Sequence, residues 1–189
     1  SVTIGLAKKA GEGAWWPTEI GASLPEAAER DIFSEFFLES MQRRGIEYIA
    51  YYRHDVDVQA EKDHPEWRAL DADGNPHPNY REKGASSLCY NTPYRDFVQG
   101  RLVELAEKGV PAIYFDSFHM PEICTCAACR EKFEADRGYP MPENLQPYTE
   151  EYLDVGRFVA ETLDATFADW KEAVSEVNPE IVFIAGNPP

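Results

Sequence analysis

The stretch CYNTPYRDFVQGRLVELAEKGVPAIYFDSF, residues 89–118, reads as one complete unit of a repeating architecture. Thr92 can cap a helix with Pro93 at its first position, where a missing N–H costs nothing and the fixed φ suits a helix start. Phe97, Leu102 and Leu105 give that helix an inner face, and Gly109 ends it. A short apolar run, Ala112–Phe115, then reads as a buried strand, and Asp116 follows it at once.

The same alternation extends in both directions. Val2–Ala7 reads as a first strand, and Ile32, Phe33, Phe36, Phe37 and Met41 recur at helical spacing before Gly45. Ile46–Tyr52 is a second strand, Ser87–Tyr90 a short third, Ala112–Phe115 the fourth and Ile181–Ala185 the fifth. A long helix spans about Thr149 to Val177, and residues 53–86, with the turn-rich DADGNPHPN, form a long polar excursion. Strands separated by helices imply a parallel sheet, and polar groups gather directly after the strands: Glu12, Trp15, His54, Asp55, Asn91, Asp116 and Asn187. That rim is where (β/α)8 barrels and doubly wound sheets keep their sites. Five strands do not make eight, and a complete barrel typically takes ~250 residues. The expectation is therefore an α/β chain of TIM-barrel type. Residues 1–189 would form one barrel domain, incomplete at the C-terminal side, with the first five or so strands present.

Composition narrows the partners. The 189 residues include 34 acidic against 18 basic ones, a net charge of −16, which opposes binding to nucleic acid or anionic lipid. No apolar run approaches the ~20 residues that cross a bilayer, and SVTIGLAKKA lacks the form of a signal peptide, so a cytoplasmic location is expected. Self-association into a homo-oligomer is left open.

All four cysteines fall in two places, Cys89 and the cluster Cys124, Cys126, Cys129. Thiolates with one and two intervening residues can converge on one ion, and a fourth sulfur from a neighbouring strand end completes the tetrahedron that structural Zn2+ prefers. Disulfides or free buried thiols are the alternatives at this stage. Four coordinated sulfurs leave no position open for water, so catalysis would lie elsewhere.

Asp116 is the candidate for it, set among Tyr114, Phe115, Phe118 and His119. His54, Asp55, Asn91 and His119 are candidates to hydrogen-bond a substrate at the same rim. Trp15 and Trp16, with Trp67, offer flat apolar faces of the kind that carry a sugar ring.

The segments IAYYRHDVD, HPEWRALDADGNP, CYNTPYRDFVQGRLVELAEKGVPAIYFDSF and CTCAACREKF together resemble glycoside hydrolase barrels related to the α-L-fucosidases and β-galactosidases, from about residue 3 to residue 187. The cysteine arrangement separately resembles the zinc cluster of certain bacterial β-galactosidases, which implies Cys89, Cys124, Cys126 and Cys129 as ligands. Those β-galactosidases end strand four with an Asn-Glu pair, where this chain has Phe115 and Asp116. In the fucosidase-like barrels an Asp ending strand four is the nucleophile, and the resemblance implies that role for Asp116. A glycosidase of this type needs a second carboxylate. Asp55, Asp57 and Glu19 are the local candidates. The rival expectation is a non-catalytic barrel that binds carbohydrate or serves structure.

Overall fold

The computed structural model describes residues 1–9, 13–116 and 118–186, so Glu12 and Asn187 lie outside the described residues. Four parallel strands, β1 (Val2–Leu6), β2 (Glu47–Tyr51), β3 (Ala112–Asp116) and β4 (Val182–Gly186), form one sheet in the order of the chain. Each strand pairs only with its sequence neighbours, with Ile4, Ile49, Ala112 and Val182 in line across the sheet. A short antiparallel ribbon, Lys8–Lys9 with Gly13–Ala14, follows β1.

Between β1 and β2 a π-helical segment, Phe33–Leu38, runs into α1 (Glu39–Gln42), and Gly45 turns the chain at φ 65°. The aromatic spacing that predicted a helix is realised there, with Phe33 and Phe37 packed on Tyr48 of β2. The excursion after β2 holds α2 (Val58–Asp63). α3 (Tyr94–Glu107) leads into β3, α4 (Ala127–Arg137) follows it, and α5 (Glu150–Val177) leads into β4. The Thr92 hydroxyl accepts from the Tyr94 N–H at 3.3 Å at the start of α3, as the sequence suggests, and Thr149 caps α5 by accepting from the Tyr152 N–H at 3.2 Å.

The expected third strand, Ser87–Tyr90, is not a strand of this sheet, and the described sheet has four strands rather than five. The physical reason lies in where its backbone hydrogen bonds go. Ser87 N–H donates to His77 O, Ser87 O accepts from Ala69, and Cys89 N–H donates to Trp67 O, all at 2.8–2.9 Å. The excursion satisfies the segment by itself, which leaves β2 free to pair with β3.

Helices cover one face of the sheet. Phe115 of β3 meets Trp170 of α5 at 6.0 Å between rings, and Phe183 of β4 meets Phe167 at 5.4 Å. The opposite face is also apolar, carrying Ile4, Ile49, Tyr51, Tyr114, Val182 and Ile184 by register, yet Ile4 and Val182 are 55% and 54% exposed. No described helix is long and apolar enough to cross a membrane.

The excursion is fastened to the ribbon after β1 by a buried ion pair, Lys8 Nζ to Asp57 at 2.9 Å, with Lys8 also donating to Val56 O at 3.1 Å. Asp57 caps α2 through the Ala60 N–H at 2.9 Å. Burial pushes the Asp57 carboxyl up, but Lys8 and the cap outweigh it and hold the pKa below the usual carboxylate value. Asp57→Ala would strand the Lys8 charge in the interior. Chemical denaturation should show a loss of about 3–5 kcal/mol at neutral pH. Because the folded pKa lies below the unfolded one, the wild-type contribution is present above about pH 4 and fades as pH falls through the folded value. A wild type and variant equally stable at pH 7 would contradict this.

Candidate functional site

The sulfurs of Cys89, Cys124, Cys126 and Cys129 all lie within 4.8 Å of one another, and all four residues are buried. Cys89 Sγ is 3.3 Å from Cys129 Sγ and 3.6 Å from Cys126 Sγ. A tetrahedral ion with metal–sulfur bonds of ~2.3 Å needs sulfurs ~3.8 Å apart. The spacing fits that geometry and is too wide for a disulfide, whose sulfurs sit at ~2.05 Å; all four cysteines are free. Cys89 belongs to the excursion after β2, Cys124 and Cys126 to the loop after β3 and Cys129 to the first turn of α4, so the segments following adjacent strands supply the set. The strands expected as third and fourth around this cluster are replaced by β2 and β3, since Ser87–Tyr90 is excursion rather than sheet.

Asn91, expected at a substrate, is turned to this cluster. Its backbone N–H donates to Cys89 Sγ at 3.4 Å and its Nδ2 to Cys129 Sγ at 3.3 Å. N–H donors aimed at sulfur favour the thiolate, the form that binds metal. Cys126 is the thiol pulled down most clearly, by hydrogen bonds from Cys124 and Cys129.

Asp116 ends β3. Its Oδ2 pairs with Arg81 at 2.5 Å, and the Tyr114 hydroxyl approaches Oδ1 at 3.5 Å. Arg81 also donates to the Tyr51 hydroxyl at 3.4 Å and lies 4.9 Å over the Tyr80 ring. Tyr114 was expected beside Asp116 from the sequence, whereas Tyr51 and Arg81 are site neighbours that the sequence reading missed. The two tyrosines were legible as the inward alternates of their strands, whereas Arg81 arrives through the excursion and carries no sequence signal. Gly186 of β4 makes room for the Tyr114 ring, since an added Cβ would meet its hydroxyl at 2.3 Å.

A pocket of about 650 Å³ is lined by Asp71, His77, Tyr80, His119, Met120, Pro121, Glu122 and Ile123, among others; Tyr80 and His119 are near Arg81 and Asp116 in the chain, though neither member of that pair lines it. Tyr80 and His119 meet edge to face at 5.1 Å. His119 thus stands at a cavity wall.

The other candidates sit apart from Asp116. His54 is 1% exposed, its Nδ1 hydrogen-bonded to the Tyr90 hydroxyl and its ring packed on Phe115 and Phe118. Burial pulls its pKa down to about 3, so it is a neutral core imidazole at physiological pH. Asp55 is buried, accepting from Asn79 at 2.8 Å and pairing with Arg53 at 3.3 Å. Trp16 is buried on the helix side, donating to Glu104 of α3 at 2.8 Å, and Trp15 packs on Phe37 at 4.9 Å. Neither indole faces the strand-end rim, because the ribbon after β1 turns the chain back over the helix layer. Asp57 is committed to Lys8, and Glu19 lines a separate crevice with Thr18 and Glu104. Trp67 is covered by Tyr94, Phe97 and a stacked His64.

No protein-family model matches the sequence, and no curated protein matches it. Solved structures do. The chain is similar to alpha-L-fucosidase isoenzyme 2 from Paenibacillus thiaminolyticus over 97% of its own length, at 21% identity and a TM-score of 0.76. It is similar to the beta-galactosidase from the psychrophilic Marinomonas ef1 over 80% of its length and 29% of that chain, at 14% identity and a TM-score of 0.64. A hypothetical protein from Ruminiclostridium thermocellum ATCC 27405 is similar over 97% of this chain and 82% of its own, at 15% identity and a TM-score of 0.55. This chain spans 26% of the fucosidase's length. The parallel sheet, its strand order and these likenesses together give this chain a fold similar to part of those fucosidase and beta-galactosidase structures.

Proposed function

We propose that residues 1–189 form the first arc of a (β/α)8 glycoside hydrolase barrel, with Asp116 as nucleophile and a structural Zn2+ on the four cysteines. The sheet's sequential order, helices on one face and an exposed apolar second face support the arc, because a closed barrel buries such a face as its interior. The observation that carries the catalytic reading is the setting of Asp116: at the carboxyl end of β3 and paired with Arg81, whose chain neighbour Tyr80 lines a cavity of about 650 Å³. Active sites of barrels are built at that end of the strands. A guanidinium partner recognises a carboxylate rather than a carboxylic acid, which is the state a nucleophile needs. Tyr51 and Tyr114 are placed to orient the carboxylate and the substrate. The zinc would tie two loops together and supply no Lewis acid, because four thiolates fill its shell.

The second carboxylate would come from outside residues 1–189, since Asp55 and Asp57 are held by Arg53 and Lys8. The rival, a carbohydrate-binding barrel without catalysis, draws on the same Arg81 contact, which also serves as a simple strand-end clamp. The substrate is proposed to be a glycoside, as for the similar fucosidase and β-galactosidase. Assay of aryl α-L-fucosides and β-D-galactosides with the protein carrying this chain and with its Asp116→Asn variant decides between the two. Turnover that survives the substitution would remove Asp116 from the nucleophile's role.

A further inference from the structure

The cavity lined by Tyr80 and His119 has two walls from different parts of the chain. One is the excursion, with Asp71, His77 and Tyr80; the other is the segment from His119 to Ile123. Pro78, Met120, Pro121 and Ile123 give it a largely apolar lining, and 60% of Tyr80 is exposed. A volume of about 650 Å³ lies in the range of sites that enclose a drug-sized ligand. A lone sugar ring would leave much of this space and most of the apolar wall unused.

The second wall has no regular secondary structure from His119 to Thr125. It is fixed at its end instead. Ile123 runs directly into Cys124, and Thr125, between two of the cysteines, donates its N–H to Leu70 O at 2.9 Å and its hydroxyl to Asp71 O at 2.5 Å. The residues that gather the four sulfurs therefore also join one wall of the cavity to the other.

We propose that this pocket binds the aglycone side of a glycoside, an aromatic or otherwise apolar group, and that the four-sulfur centre is the latch that holds its two walls in register. Tyr80 supplies the stacking face, and Met120, Pro121 and Ile123 the apolar floor. Naming the ligand an aglycone rests on the glycoside reading of Asp116; the apolar pocket and its latch do not.

The test titrates benzyl alcohol, a stand-in for an apolar aglycone, into 15N-labelled, zinc-loaded protein. Saturable shifts confined to Tyr80 and residues 119–123 are expected. Tyr80→Ala should weaken binding roughly tenfold, the upper end of what one aromatic contact contributes. Ile123→Asp should weaken it as well, which keeps the test informative if either variant folds poorly. Chelation should erase the shifts while β2 and β3 amides stay in place. Scattered, non-saturating shifts, or equal affinity in both variants, would overturn the pocket, and unchanged affinity after chelation would overturn the latch. Asp116→Asn should bind benzyl alcohol as the wild type does. A protein that binds it here yet hydrolyses no glycoside would sink the catalytic reading alone.

Discussion

Asp116→Asn should lower glycoside turnover by about 10⁴-fold or more in the protein that carries this chain, the scale seen when a covalent nucleophile is removed. The amide keeps the shape of the carboxylate but cannot attack an anomeric carbon or balance the developing positive charge on the sugar. Stability should hardly change. The Asp116 side chain is 36% exposed, a range in which an ion pair contributes at most about 1 kcal/mol. Arg81 keeps the Tyr51 hydroxyl as a partner. If Asp116 were only a clamp, the pattern would invert: a lower melting temperature, equivalent to roughly 0.5–2 kcal/mol, with any activity intact. Kinetics and thermal unfolding measured on the same variant therefore separate the roles, and near-wild-type turnover would end the nucleophile assignment.

Protein purified without added metal should contain about one zinc per chain, and Cys126→Ser should abolish retention of it. The effect is expected to be large, because four-thiolate sites bind zinc with apparent free energies of about 10–16 kcal/mol at neutral pH. Removal of the ion should loosen the loops after β2 and β3 without melting the sheet. The four cysteines share their buried cluster with Phe115, Trp170 and many other apolar side chains, and the α3–α5 packing adds to a core that does not depend on the metal. Circular dichroism should keep its helical signal while hydrogen exchange rises in residues 86–92 and 119–130. Metal-free protein with four titratable thiols, or chelation that abolishes secondary structure, would refute the assignment.

The local chemistry of the chain was legible wherever one short segment decides an outcome. Four of the five expected strands occur within one or two residues of their predicted ends, because a buried parallel strand reads as a continuous apolar run. The Thr92 contact at the start of α3, the Gly45 turn and the four-cysteine cluster were equally readable, since spacing along the chain limits what those residues can reach. Ser87–Tyr90 failed as a strand because its pairing partner is chosen by the rest of the excursion, and a four-residue run says nothing about that choice. The same limit hid Arg81 from Asp116, 35 positions away, and Asn91 from its partner Cys129 on α4, 38 positions away. It also left Trp15 and Trp16 legible as aromatic platforms when the ribbon after β1 folds them onto the helix layer. By itself the sequence determined an α/β chain with a strand-end carboxylate and a convergent set of thiols. Only the tertiary structure decided which polar groups are spent on burying one another and which face the cavity, because desolvation obliges every buried charge or imidazole to find its partner across the fold rather than along the chain.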